Sequence, residues 1–487
     1  MAESAVKPER VVVIGGGLSG LAAAHRLVAR AGVARRPVEV VVLEATKRIG
    51  GTIWTEHRDG FTLEGGPDSF ITNKPWGVDL CRALGLGPQL LGTDGSHRRS
   101  FVVRQGRLVP VPEGFVLLAP SRLAPILTTP ILSWRGKLRL LMDLVLPRKA
   151  DDADESLAAF VRRRLGREAL DRLVQPLVGG IYTADPAELS LRATLPQFAA
   201  MEQEHGSLIL AALRQARQAR AAARAASGAR YGLFVTLADG MEALPRALAA
   251  ALPPGSLRRG AAARRVAQPD PAGPWVVEML DGPPIEAGAV VLATAAHAAA
   301  RLIDGFDSEL ALHLRSIPYA SSAIVTVAYP RDRVAHPLDG FGVVVPAIEG
   351  RSILAVSFLS VKFPRRAPAG TALLRVFVGG ATQPELFDLD DEALTALVRR
   401  ELAELLGVSG DPLLVDVARH PRAMPQYTLG HQGRVAQIQR QVARHPRLAL
   451  AGNAYDGVGI PDCIRSGQEA AEAILAALAN PAARAVA

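Results

Sequence analysis

The sequence predicts an α/β protein in which one parallel-sheet domain is assembled from discontinuous pieces, with other domains inserted between them. Three observations carry this. "RVVVIGG" (10–16), "LSGLAAAHRLVARAG" (18–32) and "PVEVVVLEA" (37–45) follow one another as buried strand, helix and buried strand. That succession is a βαβ unit with a parallel, Rossmann-like pair. At the other end "RLALAGN" (447–453) and "CIRSGQEAAEAILAALA" (463–479) repeat the strand–loop–helix theme. Between them, "SSAIVTVAY", "GFGVVVP", "SILAVSFLS" and "ALLRVFVGG" (321–380) alternate in the manner of an antiparallel sheet.

The first elements are the most informative. "GGGLSG" supplies G-x-G-x-x-G as Gly15, Gly17 and Gly20, after a strand and before a helix. Gly15 permits the tight turn, and Gly17 lets the backbone approach a pyrophosphate. Gly20 allows close helix–strand packing, and the helix start, with Gly16, Leu18 and Ser19, faces the phosphates. Glu44, followed by Ala45, ends the second strand where a carboxylate can take a ribose hydroxyl. Its charge disfavours a 2′-phosphate.

Further along, residues 76–225 are mostly helix-patterned, with a loop at "QPLVGGIYTADPAELS" (175–190). Short strands follow over 230–300, among them "AVVLATAA" (289–296). No repeat of solenoid period is present. The expected division is 1–75, 228–305 and 430–487 for the nucleotide-binding domain. A substrate domain takes 76–118 and 306–429, and a helical domain 119–227.

Composition sets the outer limits. The chain has 487 residues, 49% hydrophobic and 21% charged, which suits several packed domains. Its two cysteines, Cys81 and Cys463, lie far apart and outside any CxxC, excluding a disulfide framework and a thiolate metal site. Together with the polar start "MAESAVKPER", which lacks an apolar signal region, they point to the reducing cytoplasm. The net charge of +9 comes largely from Arg/Ala runs such as "LRQARQARAAARAASGAR" (213–230), read as a solvated helix face. Aromatics do not interleave with that run, so nucleic acid is not expected. The apolar region 115–147 is broken by Pro120, Pro125, Pro130 and several arginines, too interrupted to span a bilayer.

"EATKRIGGT" (44–52) places Arg48, Gly50 and Gly51 just beyond Glu44. A glutamate followed by Arg-x-Gly-Gly resembles the FAD-binding signature of the monoamine oxidase and phytoene desaturase flavoproteins, where the arginine and glycine backbone add phosphate contacts. FAD is therefore the expected cofactor, and no metal is. "LEGGPDSFITNK" (63–74), "LVGGIYTADPAELS" (177–190), "EHGSLIL" (204–210), "GFGVVVP" (340–346), "MPQYTLGH" (424–431) and "GVGIPDCI" (457–464) occur in order along nearly the whole chain. Together they resemble the FAD- and oxygen-dependent porphyrinogen oxidases of haem synthesis, the family of protoporphyrinogen oxidase and bacterial coproporphyrinogen III oxidase.

The resemblance implies three successive two-electron oxidations of a porphyrinogen, with oxygen reduced to peroxide and the flavin carrying the chemistry. No catalytic side chain is needed. It implies that Gly66, Pro67, Asp68 and Ser69 pass close to the flavin ring and that the backbone at Val266 meets adenine. Gly452, Val458, Gly459 and Ile460 would clamp the flavin side, the helix start there stabilising negative charge. His420 stands where the family can place a tryptophan by the cofactor. For substrate it implies Lys74 on a carboxylate, Gly180 accepting pyrrole N–H groups, Phe363 packing on the macrocycle and Val344 as apolar wall. Coproporphyrinogen III, with four carboxylates, suits the basic chain better than protoporphyrinogen IX, which stays open as the alternative. An amine oxidase, a carotenoid desaturase or a non-catalytic flavin-binding scaffold are more remote. The helical region resembles one that lies on a membrane in some family members, and the basic balance permits a peripheral contact. Oligomeric state is not legible.

Overall fold

The computed structural model describes residues 8–33, 38–95, 99–151, 153–225, 233–270 and 273–479. The first seven residues of the polar N-terminus and residues 226–230 of the Arg/Ala run lie outside them.

Strands β1 (Glu9–Ile14), β2 (Val38–Glu44), β3 (Leu257–Arg259), β4 (Ala289–Leu292) and β5 (Leu448–Leu450) form one parallel sheet in the order β3-β2-β1-β4-β5. Its strands come from three distant stretches of the chain. Both faces are covered, so β1 and β2 read as unbroken apolar runs rather than alternating ones. Val11, Val13, Val40 and Val42 pack on helices α1 (Leu18–Val33) and α2 (Ile460–Ala479). Val12, Ile14, Val41 and Leu43 face the opposite core, under an antiparallel meander of Ala263–Ala267, Trp275–Met279 and Ile285–Ala287.

α1 and α2, from opposite ends of the chain, lie against each other. The contact requires Gly467, because a Cβ there would overlap the Ser19 carbonyl oxygen. Each helix thus fixes the position of the glycine-rich loop that precedes the other.

A seven-stranded sheet forms the second unit, in the order Leu414–Pro425, Tyr319–Pro330, Thr371–Gly379, Ala355–Phe358, Gly342–Val344, Phe101–Arg104 and Arg107–Pro110. Its pairings are antiparallel except that Gly342–Val344 runs parallel to Phe101–Arg104. Phe101–Pro110 corrects the helical reading of residues 76–225. "FVVRQGRLVP" folds as a hairpin whose two turn residues, Gln105 and Gly106, have φ of 51° and 71°. Positive φ at both positions is what a tight hairpin with matching twist requires.

The helical unit comprises Ala124–Thr128, Trp134–Leu141, Leu157–Arg164, Gln175–Tyr182, Pro196–His205 and Leu208–Ala225, with shorter turns between them. A fully buried ion pair ties it together. Arg164 donates through Nε to Asp143 Oδ1 at 2.7 Å and also caps the Leu146, Pro147 and Gly206 carbonyls. Asp143 Oδ2 accepts from Ser207 Oγ at 2.6 Å and from the Ile209 amide at 3.0 Å, so the buried charges leave few bonds unmade. Among the described residues, no helix is long and apolar enough to cross a membrane.

Candidate active site

The first glycine loop leaves β1 with φ of 115° at Gly15, where a Cβ would stand 2.5 Å from the Ala293 carbonyl oxygen. At Gly20 a Cβ would overlap the Gly15 carbonyl. Gly17 is different: its Cβ would meet nothing nearer than the Gly51 Cα at 3.9 Å. Backbone here borders an open trough. Leu18 and Ser19 are buried in the first turn of α1, whose leading N–H groups have no partner within the helix.

The Arg48–Gly51 loop lies alongside. The Gly50 amide donates to the Gly16 carbonyl at 2.8 Å, and Gly51 is exposed to the same trough as Gly17. Glu44 Oε2 accepts from the Gly16 amide at 2.8 Å, while Oε1 accepts from the Thr46 amide and hydroxyl, each at 2.8 Å. This locks the carboxylate at the end of β2 beside exposed Ala45, and its oxygens retain lone pairs for a hydroxyl. Arg48 is exposed, its guanidinium 5.7 Å from the Trp54 ring centroid. An open cradle at Gly17 and Gly51, a helix start and an oriented acid fit the pyrophosphate and ribose of a dinucleotide. Val266 is fully buried by its side chain, on the outer strand of the meander. Just upstream, the Ala261 amide donates to the Glu44 carbonyl at 2.9 Å, bringing that strand to the ribose side.

Beyond this trough runs the turn Gly65–Ser69. No Cβ fits at Gly65, which would overlap the Trp54 ring, or at Gly66, which would overlap the Thr52 carbonyl. Both glycine carbonyls are capped from the seven-stranded sheet. His420 Nε2 lies 2.7 Å from the Gly65 oxygen, and because a carbonyl only accepts, Nε2 carries the proton. Burial holds the His420 pKa below its ordinary value, keeping the ring neutral. Arg375 donates to the Gly66 oxygen. Pro67 is exposed and Ser69 half-buried, whereas Asp68 is buried between cations. Its Oδ1 accepts from Lys362 Nζ at 2.9 Å and from Ser69 Oγ at 2.6 Å, and its Oδ2 lies 3.2 Å from Arg375 Nη1. Burial alone would push the Asp68 carboxyl up, but Lys362 and Arg375 outweigh it and hold the group well below the usual carboxylate range.

The second glycine loop is held by two side chains of "MPQYTLGH". Tyr427 donates its hydroxyl to the Asn453 carbonyl at 2.6 Å and accepts from the Gly457 amide at 2.9 Å. His431 stacks on that ring, centroids 3.9 Å apart, and its Nε2 donates to the Tyr455 carbonyl at 3.0 Å. Gly452, with φ of 142°, donates its amide to Ser466 Oγ at 3.0 Å. Val458 and Gly459 are half-buried and Ile460 starts α2. Pro461 is its second residue, where a missing N–H costs nothing. Burial pushes the Cys463 thiol up to about 12, the state of an inert packing residue rather than a reactive thiolate.

The expected substrate residues are only partly brought together. Gly180 is exposed on the helix Gln175–Tyr182, and a Cβ there would first meet Val344 Cγ1, at 3.9 Å. "LVGGIY" and "GFGVVVP" therefore share one wall, with Ile181 45% exposed beside them. Lys74, expected on a substrate carboxylate, stands in an ion pair with its side chain 40% exposed. Its Nζ bonds both oxygens of buried Asp462, at 2.7 and 2.8 Å, neutralising the charge. Phe363 is corrected: its ring is fully buried among Phe61, Leu63, Leu359, Leu373 and Leu414 and presents no surface to a macrocycle. Sequence reasoning misses the Lys362–Asp68–Arg375 cluster and Asp462; the basic run "VKFPRR" is the one visible signal for Lys362.

The chain belongs to the family described as flavin containing amine oxidoreductase, whose model matches residues 18–475. It is an FAD-dependent oxidoreductase of that family. It is 37% identical to a coproporphyrinogen III oxidase of Propionibacterium freudenreichii subsp. freudenreichii, over 96% of this chain and 91% of that one. To a coproporphyrinogen III oxidase of Bacillus subtilis it is 34% identical, over 95% and 97%. A crystal structure from Exiguobacterium sp. 255-15, described as a candidate protoporphyrinogen oxidase, superposes with a TM-score of 0.85. It is 32% identical and covers 97% of this chain and 99% of that one.

Proposed function

We propose that the protein oxidises coproporphyrinogen III to coproporphyrin III, passing six electrons to three molecules of oxygen and releasing three of hydrogen peroxide. The observation that carries this reading is similarity along essentially the whole chain to two bacterial enzymes of that name. It is joined by a wall where a Cβ added at Gly180 would first meet Val344 Cγ1, at 3.9 Å. Protoporphyrinogen IX is the second reading, favoured by the Exiguobacterium structure.

Bound FAD would supply the hydride acceptor for the porphyrinogen ring and the route of its electrons to oxygen. The chain's own groups do the rest. Gly15–Gly20 with Glu44, Arg48, Gly50 and Gly51 hold the dinucleotide end. Gly66–Ser69 and Gly452–Ile460 hold the ring end, with the positive start of α2 beside it. The Gly180 carbonyl and the Val344 side chain orient the macrocycle and exclude water. With Lys74 paired and Phe363 buried, neither is assigned a substrate contact.

The proposed units are residues 1–75, 228–305 and 430–487 for FAD, 76–118 and 306–429 for substrate, and 119–227 for the helices. We also propose that the helical unit touches a membrane face peripherally from the cytoplasmic side. Trp134, Leu138, Met142 and Val145 are 75, 66, 42 and 80% exposed along one helical segment and the residue that ends it, next to exposed Arg135 and Arg148. Apolar side chains flanked by cations suit an anionic interface.

The deciding experiment mixes the purified yellow protein anaerobically with each porphyrinogen, then admits air. Rapid bleaching followed by porphyrin fluorescence is expected, faster with coproporphyrinogen III. A large preference for protoporphyrinogen IX would transfer the assignment to the second reading, and no bleaching by either would remove both.

A further inference from the structure

Behind the Gly65–Ser69 turn lies a concentration of buried charge that FAD binding and substrate orientation leave unexplained. Glu64, Asp68, Lys362, Arg366 and Arg375 come from three separated segments, and all but Lys362 are below one-tenth exposed. Arg366 Nη1 lies 3.4 Å from Glu64 Oε1, and its Nη2 donates to Thr236 Oγ1 at 2.6 Å and to the Leu237 carbonyl at 2.8 Å. Glu64 Oε2 accepts from Thr55 Oγ1 at 2.7 Å. Lys362 and Arg375 both reach Asp68, and Arg375 continues to the Gly66 carbonyl.

Such a cluster is costly to bury, and pairing does not by itself make it stabilising. Two features point beyond packing. Three cations face two carboxylates, so the ionised cluster carries a net positive charge where solvent does not screen it. It is also aimed: Lys362 and Arg375 end on the turn that the proposed function places beside the flavin ring. Reduction adds electrons to that ring, and a fixed positive charge nearby favours the reduced state.

We propose that Lys362 and Arg375, balanced by Asp68, set the reduction potential of the bound flavin, with Lys362 raising it and Asp68 lowering it. Lys362 is the adjustable member, since its side chain is 16% exposed against 1% for Arg375. These are positioning and electrostatic groups, not catalytic ones. The inference rests on the placement of the flavin ring against Gly66 and does not depend on which porphyrinogen is used.

The test is the flavin midpoint potential, measured by anaerobic equilibration of the purified holoprotein with a reference dye. Lys362→Gln is expected to lower the reduced-to-oxidised ratio about tenfold, a shift of about 30 mV for a two-electron couple. Asp68→Asn should shift it by a similar amount the other way, and the double variant should return close to the starting value. A purely structural cluster predicts something different: both single variants perturb the flavin in the same direction, which would overturn the proposal. If neither variant alters the potential or the visible flavin band, the placement of the ring against this turn fails instead. Should Lys362→Gln purify without flavin, Lys362→Arg decides: an unchanged potential supports a charge role, and a displaced one refutes it.

Discussion

At the scale of single residues, His431 shows how burial turns chemistry into stability. Its ring is 1% exposed, stacked on Tyr427, and burial lowers its pKa from 6.5 to about 4. The folded state therefore refuses a proton that the unfolded chain accepts between those values. Stability is complete above pH 6.5 and falls as pH drops toward 4, by about 3 kcal/mol for this group alone. Thermal melts across that window should show the fall, and His431→Gln should flatten it; an unchanged slope would exclude His431 as a contributor. Tyr427→Phe removes the hydroxyl that joins Asn453 to Gly457 and leaves a half-buried carbonyl and amide without that partner. It should cost about 1–3 kcal/mol and weaken FAD retention on gel filtration. Residue-scale legibility is uneven for a physical reason. Gly15, Gly17 and Gly20 declare themselves because their constraint is local backbone geometry. Lys74 does not, because what cancels its charge is Asp462, distant in sequence and visible only in space.

At the scale of elements, the decisive contact is between α1 and α2. Gly467→Leu would drive a side chain into the Ser19 carbonyl and push the two glycine loops apart. It should destabilise the fold by about 1–3 kcal/mol and release FAD. Differential scanning fluorimetry with and without added FAD measures both effects, and a stable variant retaining yellow colour would contradict the role given to this contact. Strands β1, β2, β4 and β5 are legible as apolar β-branched or alanine-rich runs, and so are the long strands of the mixed sheet. The hairpin Phe101–Pro110 is not. Four-residue strands sit too close to helical periodicity in the flanking sequence, and their identity comes from pairing with Gly342–Val344.

At the scale of the whole molecule, the exposed row Trp134, Leu138, Met142 and Val145 lies on the helical unit, apart from both glycine loops in sequence. Replacing Trp134 and Leu138 with glutamate should lower association with anionic vesicles by more than about tenfold in flotation assays, leaving the flavin spectrum unchanged. Equal flotation of the variant, or no flotation of the parent, would refute the peripheral contact.

The sequence by itself determines the α/β class, the dinucleotide cradle and the family. Those depend on short-range rules: strand periodicity, glycine conformational freedom and a helix start beside an acid. The tertiary structure decides which charges are free and which are spent. Lys74 is paired with Asp462, Phe363 is sealed in a core, and Lys362 and Arg375 converge on Asp68 in the Gly65–Ser69 turn. Charge pairing and burial depend on distances between segments that the fold, not chain order, brings together.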